Sequence, residues 1–288
     1  MLDQFGTLAV TDLEDGHILT LSKPDGTSVR ILVDPISWAW VAAKLAEAAV
    51  GFLVEAALKD LFGGGKADLQ SLIKSFIAAV EAIINQAIAD DRRREYESNL
   101  SALGDTLGYY LNDKRPQLLD NIIISAANVR SQLFSLGLPA IGAFAVAGSL
   151  EMAVLQQAYV ANRTRGGRAN VAACAERRIK DAEAYPPMLK ASVSARYSEV
   201  IETYIPSSPG GGSGSVIYGY YDRRTNQWVF QNFWDRGPVE AHRSAKIASE
   251  YVELEKQLIV PLLSVVQKWD AVKSRASHPS PTFEEVGL

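Results

Sequence analysis

Cysteine is nearly missing from this 288-residue chain: Cys174 stands alone. A single thiol rules out an intramolecular disulfide and leaves the redox compartment open. In its alanine-rich helix Cys174 reads as a buried packing thiol. Histidine is almost as scarce, and His17, His242 and His278 lie far apart. None has a metal-ligand spacing to another histidine or to the cysteine, so no metal centre is expected. The chain also lacks a Gly-x-Ser-x-Gly elbow and a His-Glu-x-x-His helix. Lys66 follows Gly63-Gly64-Gly65, but Ala67 stands where a phosphate loop needs serine or threonine, so the glycines read as a helix stop. The expectation is a protein that is not an enzyme and uses no cofactor. A formal net charge of −4 argues against a general nucleic-acid binder. No basic region precedes an apolar core in MLDQFGTLAVTDLEDG. No signal peptide of the usual kind is expected, and release would need lysis or a leaderless route.

Charge itself is missing from one long stretch. Between Arg130 and Arg163 the only formal charge is Glu151. Residues 138–161, LPAIGAFAVAGSLEMAVLQQAYVA, are apolar on every side of a helical projection. Such a segment belongs inside a bundle or a bilayer, because a solvated helix shows one polar face. Pro139 suits a helix start. Gly142, Ala143, Ala145, Ala147, Gly148, Ser149 and Ala153 let neighbouring helices approach closely. The pattern predicts a buried central helix of a soluble bundle. Glu151 is out of place there: it is expected either to pair with an arginine at a polar helix contact or to serve as a pH trigger.

The remaining chain arranges itself around this stretch. Residues 5–33 read as short strands separated by Glu14-Asp15-Gly16 and Lys23-Pro24-Asp25-Gly26, a small β segment over residues 1–34. Asp34-Pro35 starts a helix running to Phe62, and an amphipathic stripe predicts another over 68–112. The charge run 90–95 reads as a solvated face. Pro116 opens a helix to about Leu136 with a polar side carrying Gln117, Asn121, Ser125, Asn128 and Gln132. The very short turn at 137–139 makes that helix and the central one an antiparallel hairpin. Helices are expected over 169–185 and 187–204, then a glycine-rich linker over 207–215. An aromatic β-hairpin follows around Asp222-Arg223-Arg224-Thr225-Asn226, and a last helix over 238–274 that Pro261 should kink. The fold class is mainly α: a multi-helix bundle over 35–276 around a buried apolar central helix. It carries a short N-terminal β-meander, a late β-hairpin inserted at 207–235 and a disordered tail over 277–288.

The stretch FAVAGSLEMAVLQQA, residues 144–158, resembles the central helix of the N-terminal helical domain of the three-domain insecticidal δ-endotoxins. Phe144, Ala145, Ala147, Leu150, Leu155 and Ala158 match that family's pattern, with Gly148-Ser149 for its Ala-Asn. Glu151 replaces its usual histidine, and Gln156-Gln157 its Arg-Asp. Upstream, residues 81–110 resemble its third helix through Ile84, Gln86, Ile88, Leu103, Gly104, Leu107 and Tyr110. The resemblance is specific only across 81–158, and counterparts of the family's receptor-recognising β domains are not expected here. It implies a pore-forming protein whose hairpin, about 117–161, enters target-cell membrane lipid. Leu138, Ile141, Phe144, Val146, Leu150, Glu151, Val154 and Leu155 would insert, and Gln117, Asn121, Ser125, Asn128 and Gln132 would line the pore. Homo-oligomerisation on insertion is expected, and the receptor is left open. The competing expectation is a soluble interaction or scaffold bundle without membrane activity.

Overall fold

The structure is a computed structural model. It describes residues 7–13, 16–22, 28–32, 38–39, 42–43, 45–47, 49, 98–99, 102–106, 109–110, 115–162, 166–205 and 214–277. The glycine run 63–65 with Lys66, the charge run 90–95, most of the stretch 81–110, the linker residues 207–213 and residues 278–288 lie outside them. The described chain is mostly helical and divides into two compact units, Met1–Tyr185 with Val260–Leu288, and Pro186–Ile259. The segment 207–235, read from the sequence as an inserted hairpin, falls within the second unit.

In the first unit, strands β1 (Thr7–Leu13), β2 (Gly16–Ser22) and β3 (Ser28–Leu32) pair antiparallel in chain order. Helix α1 (Pro116–Leu136) starts on a proline whose missing N–H has no helical partner to lose. It buries Leu119, Ile122, Ala126, Val129 and Leu133, a stripe at alternating spacings of three and four. Gly137, at φ 70°, turns the chain into a 3-10 turn (Leu138–Ala140) and helix α2 (Ile141–Asn162). That left-handed conformation is cheap for glycine and costly for residues with a Cβ. Phe134 meets Phe144 and Arg130 meets Glu151, so the two helices run antiparallel. α2 also packs on α3 (Gly167–Ala182) and on the final helix α6 (Val260–Ser277).

The second unit begins as α4 (Tyr185–Arg196) gives way to an antiparallel sheet of β4 (Ile201–Ile205), β5 (Ser215–Asp222) and β6 (Gln227–Phe233). The expected helix over 187–204 therefore ends at Arg196, and the expected hairpin gains a third strand. The reason is local chemistry completed at long range. Ile201, Thr203 and Ile205 alternate as β-branched residues, and β5 supplies the backbone partners. α5 (Gly237–Leu254) covers one face of the sheet, with Tyr197, Tyr220 and Val239 at the core. A kink is expected at Pro261, and a π-helical turn, Glu255–Ile259, lies just ahead of it. Such a register shift accommodates a proline that cannot donate to the helical ladder.

Candidate functional site

The hairpin of α1 and α2 holds every residue singled out for insertion or pore lining. Gln117, Asn121 and Asn128 are exposed, and Ser125 and Gln132 half-buried, along one side of α1. Their spacing sets them on a polar stripe beside the buried one, while Ile124, 61% exposed, faces directly away from it. On α2 every residue from Ile141 to Val154 is buried. Ile141, Phe144, Val146, Leu150, Glu151 and Val154 are thus interior, while Leu138 and Leu155 are half-buried. Among the described residues one helix, Leu138–Val160, is long and apolar enough to cross a membrane, and 83% of its most apolar window is buried inside the protein.

Three devices hold α2 in place: close packing, one buried hydrogen bond and a cluster of charges. Phe144 sits among the rings of Phe134, Tyr185 and Trp269, with centroids 5.6, 5.3 and 6.1 Å away. Full burial of one such aromatic contributes roughly 2–3 kcal/mol. Ser149 Oγ accepts a hydrogen bond from Trp269 Nε1 at 2.8 Å, so this buried hydroxyl is satisfied. Gly142 lies so close to Trp38 that a Cβ there would stand 2.8 Å from the indole. This is why the small-residue stripe is needed at that point.

The third device is a charge cluster. Glu151 Oε2 lies 3.5 Å from Arg130 Nε on α1 and 3.9 Å from Arg178 Nε on α3. Asp181 Oδ2 lies 3.5 Å from Arg130 Nη1 and 3.0 Å from Arg178 Nη1. Two cations and two anions therefore balance in a site where the Arg178 side chain is only 3% exposed. The contacts are Coulombic: Arg130 Nε, Glu151 Oε2, Arg178 Nε and Nη1 and Asp181 Oδ2 have no well-aligned hydrogen bond, nor does the buried Tyr185 hydroxyl. Burial, then the neighbouring Arg178, lowers the Arg130 pKa against the pull of Glu151 and Asp181. Burial and Asp181 push the Tyr185 phenol well above its ordinary value, with Arg130 opposing. Burial, helped by Glu151, raises the Cys174 thiol to about 12, so it stays protonated and inert at neutral pH.

The expected pairing of Glu151 with arginine is present. The sequence did not reveal which arginines; Arg130, at the edge of the charge-free stretch, was the available hint. Arg178 and Asp181 were missed, although their i,i+3 spacing on α3 marks them as a pair. The four charges divide between two bodies in a particular way. Arg130 and Glu151 both belong to the hairpin, while Arg178 and Asp181 both belong to α3. Each body carries its own neutral pair, and the closest contact of each pair is at least as short as the contacts between the bodies.

Among the described residues, no group of three or more His, Cys, Asp or Glu side chains is placed to hold a metal ion. The chain matches no family model, no curated protein and no solved structure.

Proposed function

We propose that this protein is a membrane-active, pore-forming-toxin-like bundle that delivers the α1–α2 hairpin into the lipid of a target cell. The observation that carries the reading is the division of the buried charges. A hairpin leaving α3 takes Glu151 with its neutralising Arg130 and leaves Arg178 with Asp181, so neither body is stranded with a lone charge. An uncompensated ion in a low-dielectric medium costs several kcal/mol, and a closely paired one far less. The inner helix then meets lipid on all sides, while the polar stripe from Gln117 to Gln132 faces water. One hairpin cannot enclose a channel, so several copies associate on insertion. Both helices satisfy their own backbone groups, which any spanning segment must do.

A second reading has an observation of its own. The Ser149–Trp269 hydrogen bond and the Glu151–Arg178 contact tie the polar groups of α2 to helices outside the hairpin, as in the permanent core of a soluble interaction bundle.

Dye release from phosphatidylglycerol-containing and neutral liposomes, across pH 4 to 10 and with limited proteolysis, separates the two. Leakage that is blocked by an engineered α2–α3 disulfide, in a Cys174→Ala background, and restored by reduction is the expected result. A folded protein that never causes leakage, or one that leaks equally with the disulfide closed, contradicts the hairpin reading.

A further inference from the structure

The sheet of the second unit has two unlike faces. On one, Tyr220 is fully buried with Tyr197 and Val239, and Phe230 and Ile247 close over them. Side chains alternate along a strand, so Gly219 and Tyr221 point to the opposite face. Strand register adds Ile201 beside Gly219 and Trp228 beside Tyr221. The Trp228 ring lies over Gly219, where a Cβ would come within 2.8 Å of it. Ile205, four residues along β4 from Ile201, shares this face. Ile201, Ile205 and Trp228 are 38%, 44% and 46% exposed. The same register puts Thr203, Ser215 and Gln231 on this face, so it is mixed, and Ile201, Ile205 and Trp228 are the apolar side chains it leaves for a partner to cover.

Two further features say which partner. Trp234, just past β6, is 75% exposed and held at φ 85°. A left-handed backbone costs a residue with a Cβ about 1–2 kcal/mol, and here it keeps an indole in solvent at the Ile205 end of the sheet. At the other end the β5–β6 turn exposes Arg223 and Arg224. Their acidic neighbour Asp222 is buried and bound to Arg196 at 2.6 Å, and with Glu250 it also acts on Arg224, which leaves Arg223 as the cation turned to solvent. Glu202, the exposed acid of β4, pairs in register with Tyr218 on the core side. Tryptophans at a polar–apolar boundary together with the exposed Arg223 match the interface of an anionic bilayer, where indoles sit at headgroup level and guanidinium groups bind lipid phosphates.

We propose that this face docks the protein on anionic phospholipid. The inference rests on the membrane reading above, but it uses residues outside the hairpin. The test is co-sedimentation of the full chain with vesicles of equal phosphatidylcholine and phosphatidylglycerol, against phosphatidylcholine alone. Each basic residue near an anionic surface is worth roughly fivefold in partitioning, so Arg223→Ser should weaken binding about fivefold. Trp228→Ser should weaken it too, with the circular dichroism spectrum unchanged. Wild-type binding by both variants overturns the proposal. So does self-association that the same variants abolish while vesicles go unbound. The disulfide-locked hairpin should still dock without causing leakage. Binding that disappears on locking and ignores Arg223 assigns docking to the hairpin and overturns this inference alone. Docking through this face without leakage, even when the disulfide is reduced, overturns the hairpin reading alone.

Discussion

Glu151 carries more of the account than any other residue. A lone carboxylate in a helix that is buried from Ile141 to Val154 would be costly, and its two arginines offset that cost only while both sides are present. Removing one member of a buried pair typically costs 3–5 kcal/mol, whereas replacing both with apolar groups is close to neutral. Glu151→Ala should therefore lower unfolding free energy by about 3 kcal/mol in urea titrations. Adding Arg178→Met should recover most of that, because Arg130 and Asp181 remain as a balanced pair. Failure of the second substitution to rescue the first would mean that the cluster is not a charge balance. The oddness of Glu151 was legible in the sequence, because one acid in a charge-free stretch needs an explanation. Its partners were not, since helix packing brings Arg130 and Arg178 to it from 21 and 27 positions away.

Elements differ in how far local sequence specifies them. The α1–α2 hairpin is nearly self-announcing: Pro116 starts it, Gly137 and Pro139 turn it, and the apolar spacing sets both faces. β4 is the opposite case. Ile201 to Ile205 follow a helix without a strong stop signal, and only pairing with β5 makes them a strand. The knot that fixes this junction is equally non-local. Arg196, the last residue of α4, binds Asp222 of β5 and Glu250 of α5, and the Tyr197 hydroxyl donates to Glu250. Burial works to raise the Asp222 pKa, but the Arg196 hydrogen bond and the Arg224 N–H outweigh it, leaving the carboxyl below its usual range. A depressed folded-state value means stability that is present above the unfolded value, about 3.9, and lost as pH falls through the folded one. The second unit should thus weaken below about pH 4. Asp222→Asn should be less stable at pH 7 and show a shallower acid limb in pH-dependent melting. An unchanged acid limb would take Asp222 out of the explanation.

At the scale of the whole molecule, the central claim is that α2 leaves α3 when the protein meets its membrane. The composition, with a single cysteine, supplies a reporter for that event. Cys174 is on α3, is fully buried, and lies beside Glu151 of α2. Bound in the bundle it is shielded from any aqueous reagent, and its raised pKa slows it further. Departure of the hairpin uncovers it, with no substitution needed. The decisive measurement is maleimide labelling of Cys174 in the wild-type chain, followed in time beside dye release from phosphatidylglycerol-containing vesicles at neutral pH. The thiol should stay protected in buffer and with neutral vesicles and become labelled in step with leakage. Vesicles that leak while Cys174 stays protected would contradict departure of the hairpin.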